Sequence, residues 1–301
     1  MIPAFPKIFA IGSPYIENLF DGEVEVSEKV DGSQFVFGRV NGELHVRSKG
    51  RMMYLNAFEK MFAAAIEYVQ SIESRVLDNI VYYCEYLMRP KHNVLKYDTI
   101  PKNHLALFGV STPEKRFVTA HHVLEKIANL LGIDVVPLLY QGEIKNSSDV
   151  LELLEEESYL GGTKVEGVVV KNYSQQFLIG GQPMPLMAGK YVSEKFKEKH
   201  DKDWKKEKTS KGRWQTYCEG FQSEARWHKA VQHLREKGEL EFEPRDIGKL
   251  IKEIQRDIME EEKESIKGML WQEFGKDVLR TAIKGFPETY KEWLLKGEIK
   301  E

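Results

Sequence analysis

A lysine beside a tight turn is the part of the sequence with the clearest chemical potential. Lys29 is followed by Val30, Asp31 and Gly32, which places one amine at the end of a predicted strand, directly before the turn. Gly32 lets the backbone approach a ligand closely because glycine carries no Cβ. The same tetrapeptide pattern occurs in ordinary hairpins whose lysine is solvated, so alone it predicts no activity.

Further motifs follow the Lys29 turn in a fixed order along the chain. They contain, in that order, Arg47 and Arg51, Glu85, Phe108, Glu166 with Lys171, and Lys190. Each one alone has an ordinary explanation, such as an edge-strand charge, a core aromatic ring or a solvated lysine. The complete series in this order and at these spacings is much less expected by chance than any single match.

Together the motifs resemble the ordered set of the covalent nucleotidyltransferases, the superfamily of ATP-dependent DNA and RNA ligases and mRNA capping enzymes. Over about residues 20–200 the chain is most similar to the RNA ligase 2-like family. The segment 85–103 is also similar to RNA ligase-like proteins rather than to DNA ligases. The resemblance implies an α+β nucleotidyltransferase (ATP-grasp-like ligase) fold, in which antiparallel sheets with flanking helices hold AMP between them.

The resemblance also implies catalytic roles for individual residues. Lys29 would be the nucleophile that forms a lysyl–AMP phosphoramidate with ATP. Lys171 and Lys190 would contact the α-phosphate, and Glu166 would help to bind a divalent metal, Mg²⁺ or Mn²⁺. Carboxylate and phosphate oxygens are the ligands that Mg²⁺ prefers.

Further residues are implied to bind the nucleotide. Glu28 lies where the family reads the adenine edge, partly through backbone groups. Glu85 would accept a hydrogen bond from a ribose hydroxyl, and Phe108 would stack on adenine. The remaining implied binding residues are Asp31 and Gly32 of the turn, and Arg47 or Arg51, one of which would hold the ribose or the incoming 5′-phosphate.

The chain departs from the family's pattern at two positions. Asp31 stands where many RNA ligases of this type carry His. Ala188 stands where the first of two lysines is usual, two residues before Lys190. Which lysine replaces the missing one, Lys195 or Lys197, is left open.

The implied chemistry requires an unprotonated amine, whereas free lysine titrates near a pKa of about 10.4. We expect Lys171, Lys190, an arginine and a metal ion to surround Lys29 and to lower its pKa through like charge and desolvation. The same cations would stabilise charge on the α-phosphate. Three transfers are implied: adenylate to Lys29, adenylate to an RNA 5′-phosphate, and attack by a 3′-hydroxyl that releases AMP.

The elements that must position these residues are predicted from local patterns. Asn41-Gly42 between two alternating segments predicts a hairpin of Phe35–Val40 and Glu43–Ser48. Apolar segments predict further strands at 81–87, 104–110, 135–140 and 165–171, and spaced apolar residues predict helices at 58–69, 123–131 and 149–159. The mixture with hairpins favours an α+β fold rather than a parallel sheet.

The character of the sequence changes near residue 198. We therefore expect a nucleotidyltransferase domain over 1–198 and a small helical domain over 199–301. The segment Lys199–Trp214 mixes cations with Trp204, which suits either an RNA contact or a solvated linker. Because every candidate motif precedes it, the tail is expected to serve RNA engagement, and a protein ending near residue 198 is expected to form lysyl–AMP still.

Composition bounds the remaining possibilities. The 301 residues carry a formal net charge of −3, with 42% hydrophobic residues, so any nucleic-acid site must concentrate its cations locally. Two cysteines argue against a disulfide scaffold. Neither a signal peptide nor a membrane span is predicted, and we expect a cytoplasmic protein with no obligate protein partner. His92, His121 and His122 are interpreted as surface or loop residues.

Two alternatives stay open. A DNA ligase or capping-type enzyme would share the motifs, although those enzymes normally append an oligonucleotide-binding barrel, and the tail here is predicted to be helical. A non-catalytic nucleic-acid-binding module could also keep the fold. The joint presence of Lys29, Glu85, Glu166 and Lys171 speaks against the second alternative. The favoured substrates are RNA ends or a nicked duplex, consistent with RNA repair.

Overall fold

A computed structural model describes most of the chain. The described residues are 2–11, 13–56, 60–112, 117–144, 147–175, 178–179, 182–192 and 210–296. Most of the segment Lys199–Trp214, together with Lys195 and Lys197, lies outside them. The roles that the sequence predicts for these residues therefore stay predictions.

Fourteen strands lie in the described residues before residue 193. In chain order they are β1 (Phe9–Ala10), β2 (Glu23–Lys29), β3 (Ser33–Val40), β4 (Glu43–Ser48), β5 (Met52–Met53), β6 (Ile80–Tyr86), β7 (Leu105–Ser111), β8 (Phe117–Val118), β9 (Asp134–Val135), β10 (Leu138–Glu143), β11 (Gly167–Asn172), β12 (Leu178–Ile179), β13 (Gln182–Pro183) and β14 (Met187–Val192). The predicted hairpin is confirmed as β3 and β4, with Gly42 at a φ of 81°.

Eight α-helices lie in the described residues. They are α1 (Ala63–Ser71), α2 (His121–Leu131), α3 (Ser147–Glu152), α4 (Ser210–Glu219), α5 (Glu224–Glu236), α6 (Ile247–Glu261), α7 (Lys263–Ala282) and α8 (Phe286–Lys296). Short 3₁₀ turns occupy Pro14–Phe20, Lys60–Phe62, Glu73–Arg75, Lys102–His104, Leu153–Glu155 and Pro244–Asp246. None of the described helices is long and apolar enough to cross a membrane.

The strands form two large sheets. One has the order β1-β14-β11-β2-β10, and it is antiparallel except for the β1–β14 pair. The other has the order β5-β4-β3-β6-β7-β8, and β9 joins it parallel to β7. The predicted α+β class with antiparallel sheets is confirmed, because most neighbouring strands of both sheets pair antiparallel.

Each sheet packs an apolar face into a hydrophobic core. Val26 and Val168 of the first sheet pack with Leu19 and with Leu154. Phe35, Phe37 and Leu107 of the second sheet pack with Ile66 of α1 and Leu124 of α2. Successive side chains of a strand point to opposite faces of its sheet. Lys29 and Glu85 lie on the faces opposite to these apolar residues.

The chain divides into two compact units, one of residues 1–197 and 223–254 and one of residues 198–222 and 255–301. The second unit begins at residue 198, near the position where the sequence predicts a domain boundary. Residues 223–254, however, belong to the first unit, since α5 packs against its sheets and loops. That 1–198 and 199–301 fold as separate domains stays a prediction.

Candidate active site

The register of β2 and β11 brings Lys29 to a carboxylate. Lys29 lies opposite Gly167, which follows Glu166 directly. The distance between Lys29 Nζ and Glu166 Oε2 is 2.6 Å, and the two side chains are 31% and 20% exposed. The predicted nucleophile and the predicted metal ligand therefore form a partly buried ion pair.

The charge around Lys29 differs from the expectation. Burial lowers the pKa of Lys29, but the carboxylates of Glu166, Glu85 and Asp31 outweigh burial, so that the pKa lies above its ordinary value. The expected lowering by surrounding cations is therefore wrong for this arrangement. Acids, not cations, dominate the immediate surroundings of the amine.

Glu85 belongs to the same electrostatic cluster. Burial raises its pKa to about 8, and nearby Glu166, Glu236 and Asp31 add to the effect, while Lys29 opposes it. Burial also raises the pKa of Glu166, with Lys29 and Lys190 opposing the shift. Burial is the largest influence on both carboxyl groups, so both acids retain protons more readily than usual.

The two other predicted catalytic lysines lie at different depths in the sheet. Lys190 is opposite Val169 and acts electrostatically on Glu166. Lys171 is opposite Glu25, four residues along the strand from Gly167, or about 13 Å. Its Nζ donates to the carbonyl of Thr119 at 3.4 Å.

Burial lowers the pKa of Lys171 to about 8, against the opposing effect of Glu25. Lys171 is thus a buried lysine at the end of β11 that is far from Gly167, rather than a direct neighbour of Lys29. Ala188, which stands in place of the usual lysine, is buried opposite Lys171. The structure therefore brings Lys190 towards the acidic cluster and places Lys171 farther away, where Glu25 acts on it electrostatically.

Gly32 is required by packing against β6. A Cβ built there would lie 2.7 Å from Glu85 Cγ and 2.7 Å from the carbonyl oxygen of Tyr86. Any side chain would displace the strand that carries Glu85. The glycine thus keeps the turn close to Glu85, and this steric role adds to the ligand approach predicted from the sequence.

Asp31 and Glu28 hold neighbouring loops. The Asp31 carboxylate accepts hydrogen bonds from the backbone N–H groups of Val94 and Leu95, both at 2.7 Å. Glu28 accepts from Ser158 Oγ at 2.5 Å and from the N–H of Tyr159 at 3.2 Å. These contacts anchor the loops on either side of Lys29, and the nucleotide-binding roles of both acids stay predictions.

Arg47 and Phe108 contact the N-terminal segment rather than the Lys29 cluster. Arg47 Nη1 donates to the carbonyl of Ile2 at 3.1 Å, and burial lowers its pKa. The Phe108 ring meets that of Phe5 edge to face, with centroids 5.0 Å apart. Arg51 is exposed. Their roles towards a nucleotide stay predictions.

Helix α5 supplies site residues that sequence reasoning missed. Gln232 Nε2 donates to the carbonyl of Gly32 at 2.8 Å, and this carbonyl also accepts from Asn93 Nδ2 at 2.7 Å. Arg235 Nη2 donates to Asn93 Oδ1 at 3.0 Å. The buried Glu236 accepts from Gln232 at 2.7 Å. One helix and one loop thereby fix the turn that follows Lys29.

The sequence does contain a signal for this helix. Ser223 caps its first turn by accepting from the N–H of Arg226 at 3.3 Å, and Ala230 and Leu234 form a buried pair four residues apart. Such a pattern predicts a helix but not its docking place. The expectation that a protein ending near residue 198 still forms lysyl–AMP stays a prediction, and the contact of α5 with the Gly32 turn argues against it.

His92 is buried, contrary to the interpretation as a surface residue, although it does lie in a loop. Its Nδ1 accepts from the N–H of Met88 at 3.1 Å, and its Nε2 lies 2.8 Å from Ser33 Oγ. Burial lowers its pKa to about 4, with Arg235 and Arg89 contributing. A neutral ring with an Nε2–H donor matches both contacts, so His92 acts as a structural link between the turn and its loop.

The acidic cluster does not form a metal cage by itself. Among the described residues, no group of three His, Cys, Asp or Glu side chains could hold a metal ion. Mg²⁺ is commonly bound by one or two carboxylates, with water and substrate phosphates as further ligands. Glu166 fits that pattern as a single carboxylate ligand.

Comparisons with known proteins agree with the sequence motifs. A family model described as RNA ligase matches residues 22–192, more than half of the 301 residues. No curated protein matches the chain significantly.

Among solved structures, the chain is similar to a Naegleria gruberi RNA ligase with PPi, at 18% identity and a TM-score of 0.48, over 66% of this chain and 58% of that one. A structure of a mutant of that protein with AMP and Mn gives 20% identity, a TM-score of 0.48 and coverage of 65% and 57%. The chain thus spans less than two thirds of the length of these solved relatives.

Replacing Gln232 tests the support of the turn. We expect Gln232→Ala to slow modification of Lys29 by about tenfold or more, because small displacements of a nucleophile cost large factors in rate. The loss of stability should stay near 0.5–1.5 kcal/mol. His228→Ala, at an exposed position of α5, is the matched control. Modification at the wild-type rate in Gln232→Ala would contradict the positioning role.

Glu85 should make stability depend on pH. Its folded pKa of about 8 lies above the ordinary value of 4.5, so its stabilising contribution is complete below about pH 4.5 and is lost as the pH rises through 8. Glu85→Gln has no proton to lose at this position. Its free energy of unfolding should therefore rise relative to that of wild type as the pH increases from 4.5 to 8. Denaturant unfolding at several pH values, with exposed Glu67→Gln as control, measures the difference. A pH-independent difference would contradict it.

Proposed function

This chain belongs to the RNA ligase family, and we propose that it is an ATP-dependent enzyme that joins the 3′-hydroxyl of one RNA end to the 5′-phosphate of another. The observation that carries the proposal is the placement of Lys29. The amine lies within the region that the family model matches, at the end of a strand and 2.6 Å from Glu166.

In the proposed first step, neutral Lys29 Nζ attacks the α-phosphorus of ATP. A nitrogen–phosphorus bond forms, the bond to the leaving oxygen breaks, and pyrophosphate departs. Lys29 must first give up a proton and its hydrogen bond to Glu166. Separation of Glu166 from Lys29 removes the strongest influence that raises the pKa of the amine, so that the remaining effect of burial favours the neutral form.

Glu166 is the proposed ligand of Mg²⁺ or Mn²⁺. When bound, the ion would supply positive charge against the phosphates of ATP. Lys190, which acts electrostatically on Glu166, would also oppose charge that develops on the α-phosphate. Lys171 would act from farther along the strand, or after a movement of its side chain. Glu85, whose pKa is about 8, could donate as well as accept a hydrogen bond at a ribose hydroxyl.

The later steps move the adenylate to RNA. An oxygen of the RNA 5′-phosphate attacks the adenylate phosphorus, the bond to Lys29 breaks, and the amine regains a proton. The 3′-hydroxyl then attacks the 5′-phosphorus and loses its proton, AMP leaves, and a phosphodiester bond remains. Positioning of the two ends supplies much of the acceleration in such a reaction.

A DNA ligase or a capping-type enzyme is the alternative. The described residues after β14 form helices and turns, which favours the RNA ligase because the alternatives normally append a β-barrel. Incubation with labelled ATP or GTP, followed by nicked RNA or DNA, separates the possibilities. A cytoplasmic location and action without an obligate protein partner complete the proposal, and the two free cysteines are consistent with that location.

Covalent modification of Lys29 tests the proposed function directly. Incubation with ATP and Mg²⁺ should raise the intact mass by one AMP, and Lys29→Ala should abolish the increase. Lys126→Ala, at an exposed position of α2, should retain it. An undiminished adduct in Lys29→Ala would refute the assignment of the nucleophile, and no adduct on the wild-type protein would refute the proposed function.

Glu166→Ala should impair the chemistry far more than the fold. We expect adenylation to fall by about a hundredfold or more, because a group that acts on the reacting charges is lost. Glu155→Ala, which removes an exposed acid paired with Lys164, is the matched control. Circular dichroism verifies folding. Adenylation of folded Glu166→Ala at the control's rate would assign Glu166 a purely structural role.

A further inference from the structure

A cavity of about 340 Å³ lies within the first unit, between α5 and the loop that follows β6. Its lining combines three cations with three apolar side chains and one histidine: Lys60, Arg89, Arg235, Met61, Met88, Phe242 and His92. None of these lining residues is acidic. The volume falls within the range of about 300–1,000 Å³ that is typical of ligand sites.

The cations of the cavity are suited to an anion. Arg235 donates from Nη2 to Asn93, and its Nε is buried with no hydrogen-bond partner among the described residues. Arg89 is exposed. The neighbouring acid, Glu236, is engaged with Gln232 and Ser33. Three permanent positive charges around one concave surface create a local potential that attracts phosphate, even though the whole chain is slightly acidic.

Phe242 adds a flat apolar surface at the cavity. Its side chain is 75% exposed, and its φ of 60° is a conformation that bulky residues rarely adopt. The flanking backbone is fixed, since the N–H groups of Glu241 and Glu243 both donate to Asp246 Oδ2, at 2.9 and 3.3 Å. An aromatic ring held towards solvent beside cations is suited to stacking on a nucleobase.

From these observations we propose that the cavity binds a backbone phosphate of the RNA substrate while the adjacent base stacks on Phe242. This inference rests on the proposed function and adds a binding site to it. The cavity is joined to the catalytic turn, because His92 contacts Ser33 at 2.8 Å and Arg235 reaches Gly32 through Asn93. RNA held there is therefore placed beside the turn that carries Lys29.

Direct RNA binding by the full chain tests the site. Fluorescence anisotropy with a 5′-phosphorylated single-stranded RNA, over a range of salt concentrations, compares wild type with Lys60→Gln/Arg89→Gln and with Phe242→Ala. A matched double variant, Lys102→Gln/Lys126→Gln, removes two exposed cations elsewhere in the first unit. Arg235 is left unchanged because it also supports the turn.

The cavity variants should weaken binding in two distinct ways. The double variant should bind more weakly and reduce the slope of log K against log salt by up to about 0.7, because the contact with one phosphate is weakened. Phe242→Ala should weaken binding by about 5- to 150-fold with an unchanged slope. Adenylation by ATP should stay at the wild-type rate in both variants, which separates this site from the Lys29 centre.

The proposal would be overturned if the cavity variants kept the RNA affinity and the salt dependence of wild type. It would also be overturned if the matched double variant lost as much RNA affinity as the cavity double variant. Displacement of the RNA from wild type by ATP alone, with no such displacement in Lys60→Gln/Arg89→Gln, would reassign the cavity to the free nucleotide and overturn it too. Because binding is measured without sealing, a protein that fails to adenylate would refute the proposed function while this test still decides the cavity.

Discussion

The ion pair between Lys29 and Glu166 is the interaction on which the site depends. Taking two charges out of water is costly, and a partly buried pair persists when close contact repays that cost. At 2.6 Å the pair meets this condition. Its consequence is electrostatic as well as structural, since Glu166 favours the protonated form of the amine.

This arrangement suggests why one acid would serve both the resting protein and the reaction. Glu166 would hold the proton on Lys29 when nucleotide is absent, and would turn to the metal when ATP arrives. Glu85, with a pKa near 8, adds negative charge without always being ionised. The excess of acids around a single lysine would then favour a divalent cation, whose arrival relieves the repulsion between the acids.

The rest of the first unit holds this pair in register. Antiparallel pairing of β2 with β11 places Lys29 opposite Gly167, and the absence of a side chain at Gly32 keeps the turn against β6. Helix α5 then closes the turn through Gln232. Three elements that are remote in sequence thus converge on a segment of a few residues.

Local features of this protein could be predicted from the sequence, and long-range ones could not. The hairpin at Asn41-Gly42 is encoded in adjacent residues, as is the helix end at Gly132, whose φ is 71°. The Lys29 turn was recognisable because its motif is contiguous.

The sign of the pKa shift at Lys29 was predicted wrongly, because it depends on Glu85 and Glu166, which only the sheet brings close. Gln232 binds the carbonyl of Gly32, although the two residues are 200 positions apart in the sequence. No periodic pattern encodes such a contact.

The most direct measurement is the pKa of the Lys29 amine, followed by NMR of ¹³C- or ¹⁵N-labelled lysine, in wild type and in Glu166→Gln, without added ATP or metal. The account predicts a wild-type pKa above the ordinary lysine value and a clear fall in Glu166→Gln, because the carboxylate that opposes the effect of burial is removed. An equal pKa in both proteins, or a wild-type value already below that of free lysine, would contradict it.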